Sequence, residues 1–265
     1  MTKTIALAGK GGTGKTTIAG LLVRALIERR EGPVLAIDAD PASNLNVVLG
    51  LPLERTVGDI REDTTEKARN NLLDASVPKR DLLDYEVNAN VVEGVGVDLL
   101  AMGRPEGAGC YCAANTMLRG ILDRIADSYG WVIIDNEAGL EHLSRRTTRD
   151  VDELVIVSDP SVRGITTAGR VLSMVDELQI RVGRSQLVVN RVEPGGLSPE
   201  VRAAIAANHL DLMAELPADA ELSRLDAAGQ PIAGLPADNP MVVAMRAVAD
   251  GILTPRKEAV GADHR

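Results

Sequence analysis

The feature that most restricts how this chain can fold is a glycine-rich segment, GKGGTGKT, at residues 9–16. It fits the pattern G-x-x-x-x-G-K-[ST], follows an apolar run at residues 4–8 and opens a helical stretch at residues 16–29. Glycines let backbone N–H groups turn inward around phosphate oxygens, and the N-terminus of the following helix adds its positive end. The segment therefore predicts a strand, a phosphate-binding loop and a helix in succession, with a plain glycine turn as the alternative.

The composition and charge exclude several classes of protein. Of the 265 residues, 45% are hydrophobic, which is enough to bury a full core. The net charge of −9 disfavours non-specific binding to DNA or anionic lipid. Aromatic residues make up only 2% of the chain, with no Phe, so the stacking surfaces that single-strand binders use are missing. The sequence has neither an apolar run of about 18 residues nor a signal-peptide pattern. We expect a cytoplasmic protein that binds neither nucleic acid nor membrane.

Apolar runs and helical stretches alternate in the order typical of βαβ units, which predicts a mostly parallel twisted sheet with helices on both faces. Runs such as VLAID and WVIID are continuously apolar, as expected for strands covered on both faces. The predicted strands are residues 4–8, 34–38, 97–102, 131–135, 154–158, 186–190 and 212–216. The predicted helices are residues 16–29, 114–129, 166–178, 199–208 and 240–252.

The predicted fold class is α/β, a single-domain P-loop NTPase that spans residues 1–253. Residues 54–90 are polar and mixed in charge, and we interpret them as a helical excursion beside the sheet. Residues 254–265 carry almost no large apolar side chain and are predicted to be a frayed tail.

The polar groups of the glycine-rich loop have separate predicted tasks. The ammonium group of Lys15 is placed to reach the β- and γ-phosphates, and the hydroxyl of Thr16 can ligate Mg²⁺. The predicted nucleotide-binding residues here are Gly11, Gly12, Thr13, Gly14, Lys15, Thr16 and Thr17.

A second lysine, Lys10, stands inside this loop, and the form KGGTGKTT resembles the deviant P-loop of the MinD/ParA/nitrogenase-iron-protein class of ATPases. The resemblance covers most of the chain and implies ATP or ADP with Mg²⁺ as ligands. It also implies that Lys10 crosses a dimer interface to the partner's nucleotide, so that ATP binding and homodimerisation are linked.

Further motifs resemble the same class. In the run DADP, the resemblance implies that Asp40 polarises the attacking water, while Asp38 and Asn44 help to organise Mg²⁺. Asp135 corresponds to the Walker B position, a second anchor for Mg²⁺, and Gly139 lies in the switch segment that follows it. Near the end of the chain, the positions implied to bind adenine are Asn190, Arg191, Pro217 and Asp219.

Both cysteines of the chain, Cys110 and Cys112, lie one residue apart in a glycine-rich stretch. This spacing disfavours a disulfide between them, and a helix predicted to follow would lower their thiol pKa values and favour thiolate ligands. Two sulfurs are half of a tetrahedral or square-planar set for Zn²⁺ or Ni²⁺, whereas a two-fold dimer supplies four. The alternative is a pair of small half-buried side chains.

The combination of KGGTGKTT, DADP, GCYC and DNEAGLEHLSRRT resembles the CooC-type ATPases, accessory proteins for nickel insertion. This resemblance implies a dimeric metallochaperone that holds Ni²⁺ or Zn²⁺ between paired Cys110 and Cys112. Its client would be a metalloenzyme, carbon monoxide dehydrogenase or acetyl-CoA synthase. A MinD/ParA-like nucleotide switch that positions a cargo and an iron–sulfur carrier ATPase remain the alternatives.

Overall fold

The computed structural model describes residues 2–70, 72, 78–104, 125–137 and 151–254, and these contain one eight-stranded sheet. Its strands are β1 (Lys3–Gly9), β2 (Val34–Asp38), β3 (Val92–Glu93), β4 (Val97–Ala101), β5 (Trp131–Asp135), β6 (Val151–Ser158), β7 (Val182–Val192) and β8 (Leu212–Pro217). The strand order is β3-β4-β2-β5-β1-β6-β7-β8. All neighbours are parallel except β3, which runs antiparallel to β4. The predicted fold class is confirmed.

Helices cover both faces of this sheet. They are α1 (Lys15–Arg29), α2 (Leu45–Leu49), α3 (Val57–Arg69), α4 (Lys79–Ala89), α5 (Val162–Glu177), α6 (Pro199–Ala207), α7 (Ala220–Ala227) and α8 (Pro240–Leu253). Two short 3₁₀ turns lie at Ala126–Ser128 and Ile232–Gly234. Within the described part of the chain, no helix is both long and apolar enough to cross a membrane.

The continuous apolar runs arise because successive side chains of each strand enter two different cores. Ile5 and Leu7 of β1 are fully buried in the core formed with α1 and α8. Ala6 and Ala8 of the same strand are fully buried in the core formed with α3 to α6. Alternate side chains of a strand point to opposite faces, so a strand covered on both sides loses the alternation of polar and apolar residues.

Most predicted elements appear with shifted ends. The strands at 34–38 and 131–135 have the predicted bounds, whereas β6 and β7 begin earlier than predicted. The predicted excursion at 54–90 contains α3 and α4. The elements that the sequence did not predict are α2, β3 and α7. Of the helix predicted at 114–129, residues 114–124 lie outside the described residues, as do residues 255–265 of the tail.

Candidate nucleotide-binding site

The predicted site residues on three strands meet at one edge of the sheet. Asp38, the last residue of β2, is directly paired with Asp135, the last residue of β5. Leu7 of β1 is also paired with Asp135, and the glycine-rich loop begins two residues later at Gly9. Because parallel strands end at the same edge, this loop and the two carboxylates surround a single crevice.

The loop is held in shape by contacts to its own carbonyl groups. Thr13 is buried, and its hydroxyl donates to the carbonyl of Lys10 at 2.9 Å. The ammonium group of Lys15 donates to the carbonyls of Gly9 and Lys10 at 3.2 and 3.3 Å. Burial lowers the pKa of Lys15, while the negative charges of Asp135, Asp40 and Glu137 act to raise it. The charge of Lys15 thus lies inside the loop, next to the three acidic groups of the crevice.

Helix α1 begins at this loop without a side-chain cap from the described residues and without an acidic residue in its own first turn. Its N-cap is Gly14, in the left-handed region at φ +91°, and in the described structure no side chain caps the helix. The first turn contains no acidic residue. Unpaired N–H groups and the helix dipole therefore remain available to an anion at the end of a 15-residue helix.

The loop also has an outer side that faces solvent. Lys10, Gly11 and Gly12 are exposed, whereas Thr16 and Thr17 are half-buried at the start of α1. Lys10 and Lys15 therefore stand in different positions, one on the outside of the loop and one within it. This separation is what a lysine that contacts a second molecule requires.

The carboxylate of Asp38 is buried and bonded to the backbone that follows it. Its oxygens accept hydrogen bonds from the backbone N–H groups of Asp40 at 3.1 Å and Leu45 at 2.8 Å. Burial nevertheless raises the pKa of Asp38 to about 6, against the lowering effect of these hydrogen bonds. Asp38 thus connects the end of β2 to the start of α2.

The negative charge of Asp135 is less well stabilised by hydrogen bonds than that of Asp38. It is 1% exposed, and among the described residues neither of its oxygens has a hydrogen-bond partner of regular geometry. Burial raises its pKa to about 7, although the neighbouring hydroxyl of Thr16 and the charge of Lys15 oppose the increase. A buried carboxylate with two free oxygens beside a threonine hydroxyl is a donor set that fits Mg²⁺, which prefers hard oxygen ligands.

Asp40 lies in the loop between β2 and α2. One oxygen of its half-buried side chain accepts a hydrogen bond from the N–H of Ala42 at 2.8 Å. Its charge also acts on Lys15. The structure therefore brings Asp40 to the same crevice as the phosphate-binding loop, while Asn44 is exposed at the N-terminus of α2.

Two of the predicted adenine-binding residues contact the phosphate-binding loop. The side-chain amide of Asn190, at the end of β7, donates to the carbonyl of Thr13 at 2.9 Å. The guanidinium of Arg191 donates to the carbonyl of Gly12 at 3.1 Å. These residues are 177 and 179 positions away from their partners in the sequence.

The other two predicted adenine-binding residues lie at the end of the neighbouring strand. Pro217 ends β8 and is paired with Val192 of β7. Asp219 is the N-cap of α7, where it accepts a hydrogen bond from the N–H of Leu222 at 2.6 Å. The four residues therefore share the carboxyl end of β7 and β8.

Sequence reasoning missed two buried asparagines at this end of the sheet. Asn136 follows Asp135 and donates from its side chain to the carbonyl of Leu7 at 2.8 Å, which joins β5 to β1. Asn239 donates to a carboxylate oxygen of Asp219 at 3.0 Å and caps α8 through the N–H of Met241 at 2.9 Å. The role of Asn239 could have been predicted from the pair Asn239-Pro240, because an asparagine followed by proline is typical of an N-cap and the first helical position.

The predicted metal ligands Cys110 and Cys112 and the switch residue Gly139 lie outside the described residues. Among the residues that are described, no group of three or more His, Cys, Asp or Glu side chains is arranged to hold a metal ion. Asp38 and Asp135 alone are too few ligands for Mg²⁺. The crevice fits this ion only if other oxygens, such as the hydroxyl of Thr16, complete the set.

The chain is similar to known proteins over most of its length. Residues 4–232 match the family described as the CobQ/CobB/MinD/ParA nucleotide binding domain. An uncharacterized ATP-binding protein of Methanocaldococcus jannaschii is 40% identical over 249 residues, which cover 94% of this chain and 98% of that protein. The carbon monoxide dehydrogenase accessory protein CooC of Rhodospirillum rubrum is 34% identical over 240 residues, 85% of this chain and 87% of that protein.

Solved structures share the fold at lower sequence identity. The MinC:MinD cell division protein complex of Aquifex aeolicus gives a TM-score of 0.70 at 23% identity and covers 97% of this chain and 98% of its own. MinD of Pyrococcus horikoshii, in complex with Mg-ADP, gives a TM-score of 0.67 at 20% identity over 95% and 96% of the two chains. At these identities the similarity establishes the fold alone.

Proposed function

This chain belongs to the CobQ/CobB/MinD/ParA family of nucleotide-binding domains, and from that premise we propose that it is an ATP-hydrolysing, dimeric metallochaperone. The observation that carries the hydrolytic part is the crevice in which Lys15, Asp40 and Asp135 interact beside the N-terminus of α1. The loop provides a buried ammonium group, and beside it the carboxylate of Asp135 has no hydrogen-bond partner of regular geometry among the described residues. These are the charges that binding of a nucleotide and its cation requires.

In this proposal, each group of the crevice acts on a different part of ATP. The N–H groups of residues 11–17 and the ammonium of Lys15 bind the phosphates and neutralise their charge. Thr16, Asp38 and Asp135 would hold Mg²⁺, which when bound supplies positive charge at the phosphate oxygens. Asp40 orients and polarises the water that attacks the γ-phosphorus, and ADP and phosphate leave. Asn190, Arg191, Pro217 and Asp219 contact the adenine end.

The dimer is proposed from the position of Lys10. Its side chain is on the exposed side of the loop, whereas Lys15 occupies the inner side. In this proposal the exposed ammonium group of Lys10 does not contact the phosphates of its own chain, and two chains placed face to face give each Lys10 the partner's nucleotide. ATP then strengthens the dimer by mass action, since it binds at an interface that only the dimer completes.

The metal-handling part rests on Cys110 and Cys112 together with the similarity to CooC. Each chain contributes two sulfurs, so a two-fold dimer would bring four to one Ni²⁺ or Zn²⁺ as the cargo. The relative from Rhodospirillum rubrum, named an accessory protein of carbon monoxide dehydrogenase, supports a metalloenzyme such as that enzyme or acetyl-CoA synthase as the client.

The proposal is tested by measuring nickel and nucleotide binding on the same samples. Equilibrium dialysis with Ni²⁺, in the presence of Mg²⁺ and a non-hydrolysable ATP analogue, is expected to give one nickel per two chains. The double variant Cys110→Ser/Cys112→Ser, which contains no cysteine, is expected to lose this nickel and to keep ATP binding.

Lys15→Ala is the matched control, since it is expected to lose ATP binding and to retain the cysteines. Equal nickel uptake before and after the two cysteine substitutions would overturn the metal-handling part. Iron in protein purified without oxygen, with absorption in the visible range, would replace it with the iron–sulfur alternative.

A further inference from the structure

The end of strand β7 lies against the outside of the phosphate-binding loop. Asn190 is 6% exposed and donates from its side chain to the carbonyl of Thr13 at 2.9 Å. Arg191, which is exposed, donates to the carbonyl of Gly12 at 3.1 Å. Two consecutive carbonyl groups of the loop are thus held by two consecutive side chains of β7.

These two contacts fix the orientation of two N–H groups of the loop, that of Thr13, which donates to the carbonyl of Lys10, and that of Gly14, which the proposed function assigns to a phosphate. A peptide group is planar, so holding a carbonyl on one side directs the N–H of the next residue to the other side. The two peptide groups concerned lie between Gly12 at φ +81° and Gly14 at φ +91°. Glycine rotates through these conformations at little cost. The side chains of Thr13 and Lys15 hold the carbonyls of Gly9 and Lys10, whereas the carbonyls of Gly12 and Thr13 are held from β7.

The backbone of Arg191 is adapted to this contact. Its φ of +59° lies in the left-handed region, which is unfavourable for an arginine. The side-chain oxygen of Asn190 accepts a hydrogen bond from the N–H of Arg191 at 2.9 Å and thereby supports the turn. A Cβ at Gly14 would lie 2.6 Å from the side-chain nitrogen of Asn190, so only glycine leaves this side chain its place.

From this geometry we infer that Asn190 and Arg191 are positioning residues that hold the phosphate-binding face of residues 9–16 in shape. The inference rests on the proposed function in that this loop binds the phosphates of ATP. It extends the predicted role in adenine binding and does not conflict with it. The amide of Asn190 has one further N–H and one further lone pair beyond these two contacts.

The test compares ATP with a probe that has the phosphates but no base. Arg191→Gly removes the side chain and suits the left-handed backbone, so the fold is expected to survive. If Arg191 positions the loop, this variant weakens binding of Mg-ATP and of Mg-tripolyphosphate by the same factor, about tenfold, the value of a hydrogen bond to a charged group. Arg191→Lys, which keeps a donor, is expected to recover part of both affinities, and Asn190→Ala is expected to act in the same direction as Arg191→Gly.

The matched control is Arg30→Gly. Arg30 is also exposed and left-handed, at φ +57°, but it ends α1 at the opposite end of that helix from the loop. It is expected to leave both affinities unchanged. A loss of ATP affinity in Arg191→Gly with tripolyphosphate binding unchanged would overturn the inference, because Arg191 would then act on the base alone.

Hydrogen exchange in the nucleotide-free protein separates this inference from the proposed function. The N–H of Thr13 is bonded to the carbonyl of Lys10, and its exchange is expected to accelerate about tenfold in Arg191→Gly. Unchanged exchange at Thr13 would overturn the inference whether or not ATP binds. If the unaltered protein binds no ATP, the proposed function fails, and the exchange rate of Thr13 still decides whether Arg191 holds the loop.

Discussion

At the scale of single residues, the crevice keeps two carboxylates in an environment that favours their neutral form. Asp38 and Asp135 are paired across β2 and β5, and burial raises the pKa of the first to about 6 and of the second to about 7. Such groups destabilise the nucleotide-free fold when they ionise, because the unfolded chain solvates the charge freely. A bound cation would stabilise the ionised carboxylates, so the destabilisation that they cause in the nucleotide-free fold fits a cation-binding site.

The free energy of unfolding that is lost when Asp135 ionises can be measured from the pH dependence of stability. With a native pKa of about 7 and an ordinary value of 3.8, the native state binds more protons than the unfolded state between these values, so stability falls as pH rises. From about pH 6 to about pH 8.5 the loss is about 1.4 kcal/mol, the value of one pKa unit. We expect Asp135→Asn, which carries no charge, to lack this loss in urea unfolding without Mg²⁺ or nucleotide.

Asp38 titrates in both proteins, and because its charge acts on Asp135, the difference between the two stability curves contains this interaction as well as the charge of Asp135 itself. Adding Mg²⁺ at the higher pH should stabilise the wild type and leave Asp135→Asn almost unchanged. Parallel stability curves for the two proteins across this pH range would show that the carboxyl of Asp135 is not neutralised by burial.

At the scale of secondary-structure elements, one asparagine connects the beginnings of two helices at the carboxyl end of the sheet. The side-chain oxygen of Asn239 accepts hydrogen bonds from the N–H groups of Met241 and Val242 at the start of α8. Its nitrogen donates to Asp219, which itself caps α7. The predicted adenine-binding residue Asp219 is thus held in place by a buried side chain from another element.

We therefore expect Asn239→Ala to lower the free energy of unfolding by more than the loss of an ordinary helix cap does. A cap alone contributes about 1 kcal/mol, and the half-buried carboxylate of Asp219 also loses a partner, so we expect a decrease of about 2 kcal/mol in the free energy of unfolding. Ser198→Ala is the control, because Ser198 caps α6 and its other side-chain contact, with Glu200, lies in the same helix, so that its loss should cost about 1 kcal/mol. Equal costs in urea unfolding would show that the contact with Asp219 contributes nothing.

The individual strands and helices differ in how far their positions can be predicted from the sequence. The central strands were predictable because a sheet covered on both faces requires unbroken apolar runs, as in β2 and β5. The start of β7 was missed because residues 183–185 are a glycine and two polar residues outside the core, and α7 because it buries only Leu225. The motif placed Lys15 and Thr16, but the contact of Asn190 with Thr13 depends on the packing of distant strands, which no local pattern encodes.

At the scale of the whole molecule, the groups proposed for catalysis lie at one edge of the sheet, and one of them faces outward. Lys10 is exposed on the loop, while Lys15, Asp38 and Asp135 are buried beneath it. In the proposed function, a single chain can therefore bind the nucleotide with these buried groups and still lack the positive charge that a second chain's lysine would supply. The division between inner and outer lysine predicts that ATP binding and ATP hydrolysis respond differently to substitution.

At protein concentrations at which both proteins are monomeric, we expect Lys10→Ala to bind Mg-ATP with an affinity within about twofold of the wild type, because its side chain is outside the loop. Its hydrolysis is expected to fall at least about a hundredfold, the scale of a cation supplied to the phosphates from a partner. The wild-type rate per chain should rise with protein concentration as dimers form, whereas that of Lys10→Ala should stay low at every concentration. Steady-state hydrolysis and light scattering with a non-hydrolysable analogue measure both effects.

Lys67→Ala provides the control, since Lys67 is an exposed lysine on α3, a helix on the other face of the sheet from α1. It should match the wild type in hydrolysis and in dimer formation. Loss of ATP affinity in Lys10→Ala would place this lysine in its own chain's site and remove the argument for the dimer. A wild-type rate per chain that is independent of concentration, over a range in which light scattering shows the dimer to form, would do the same.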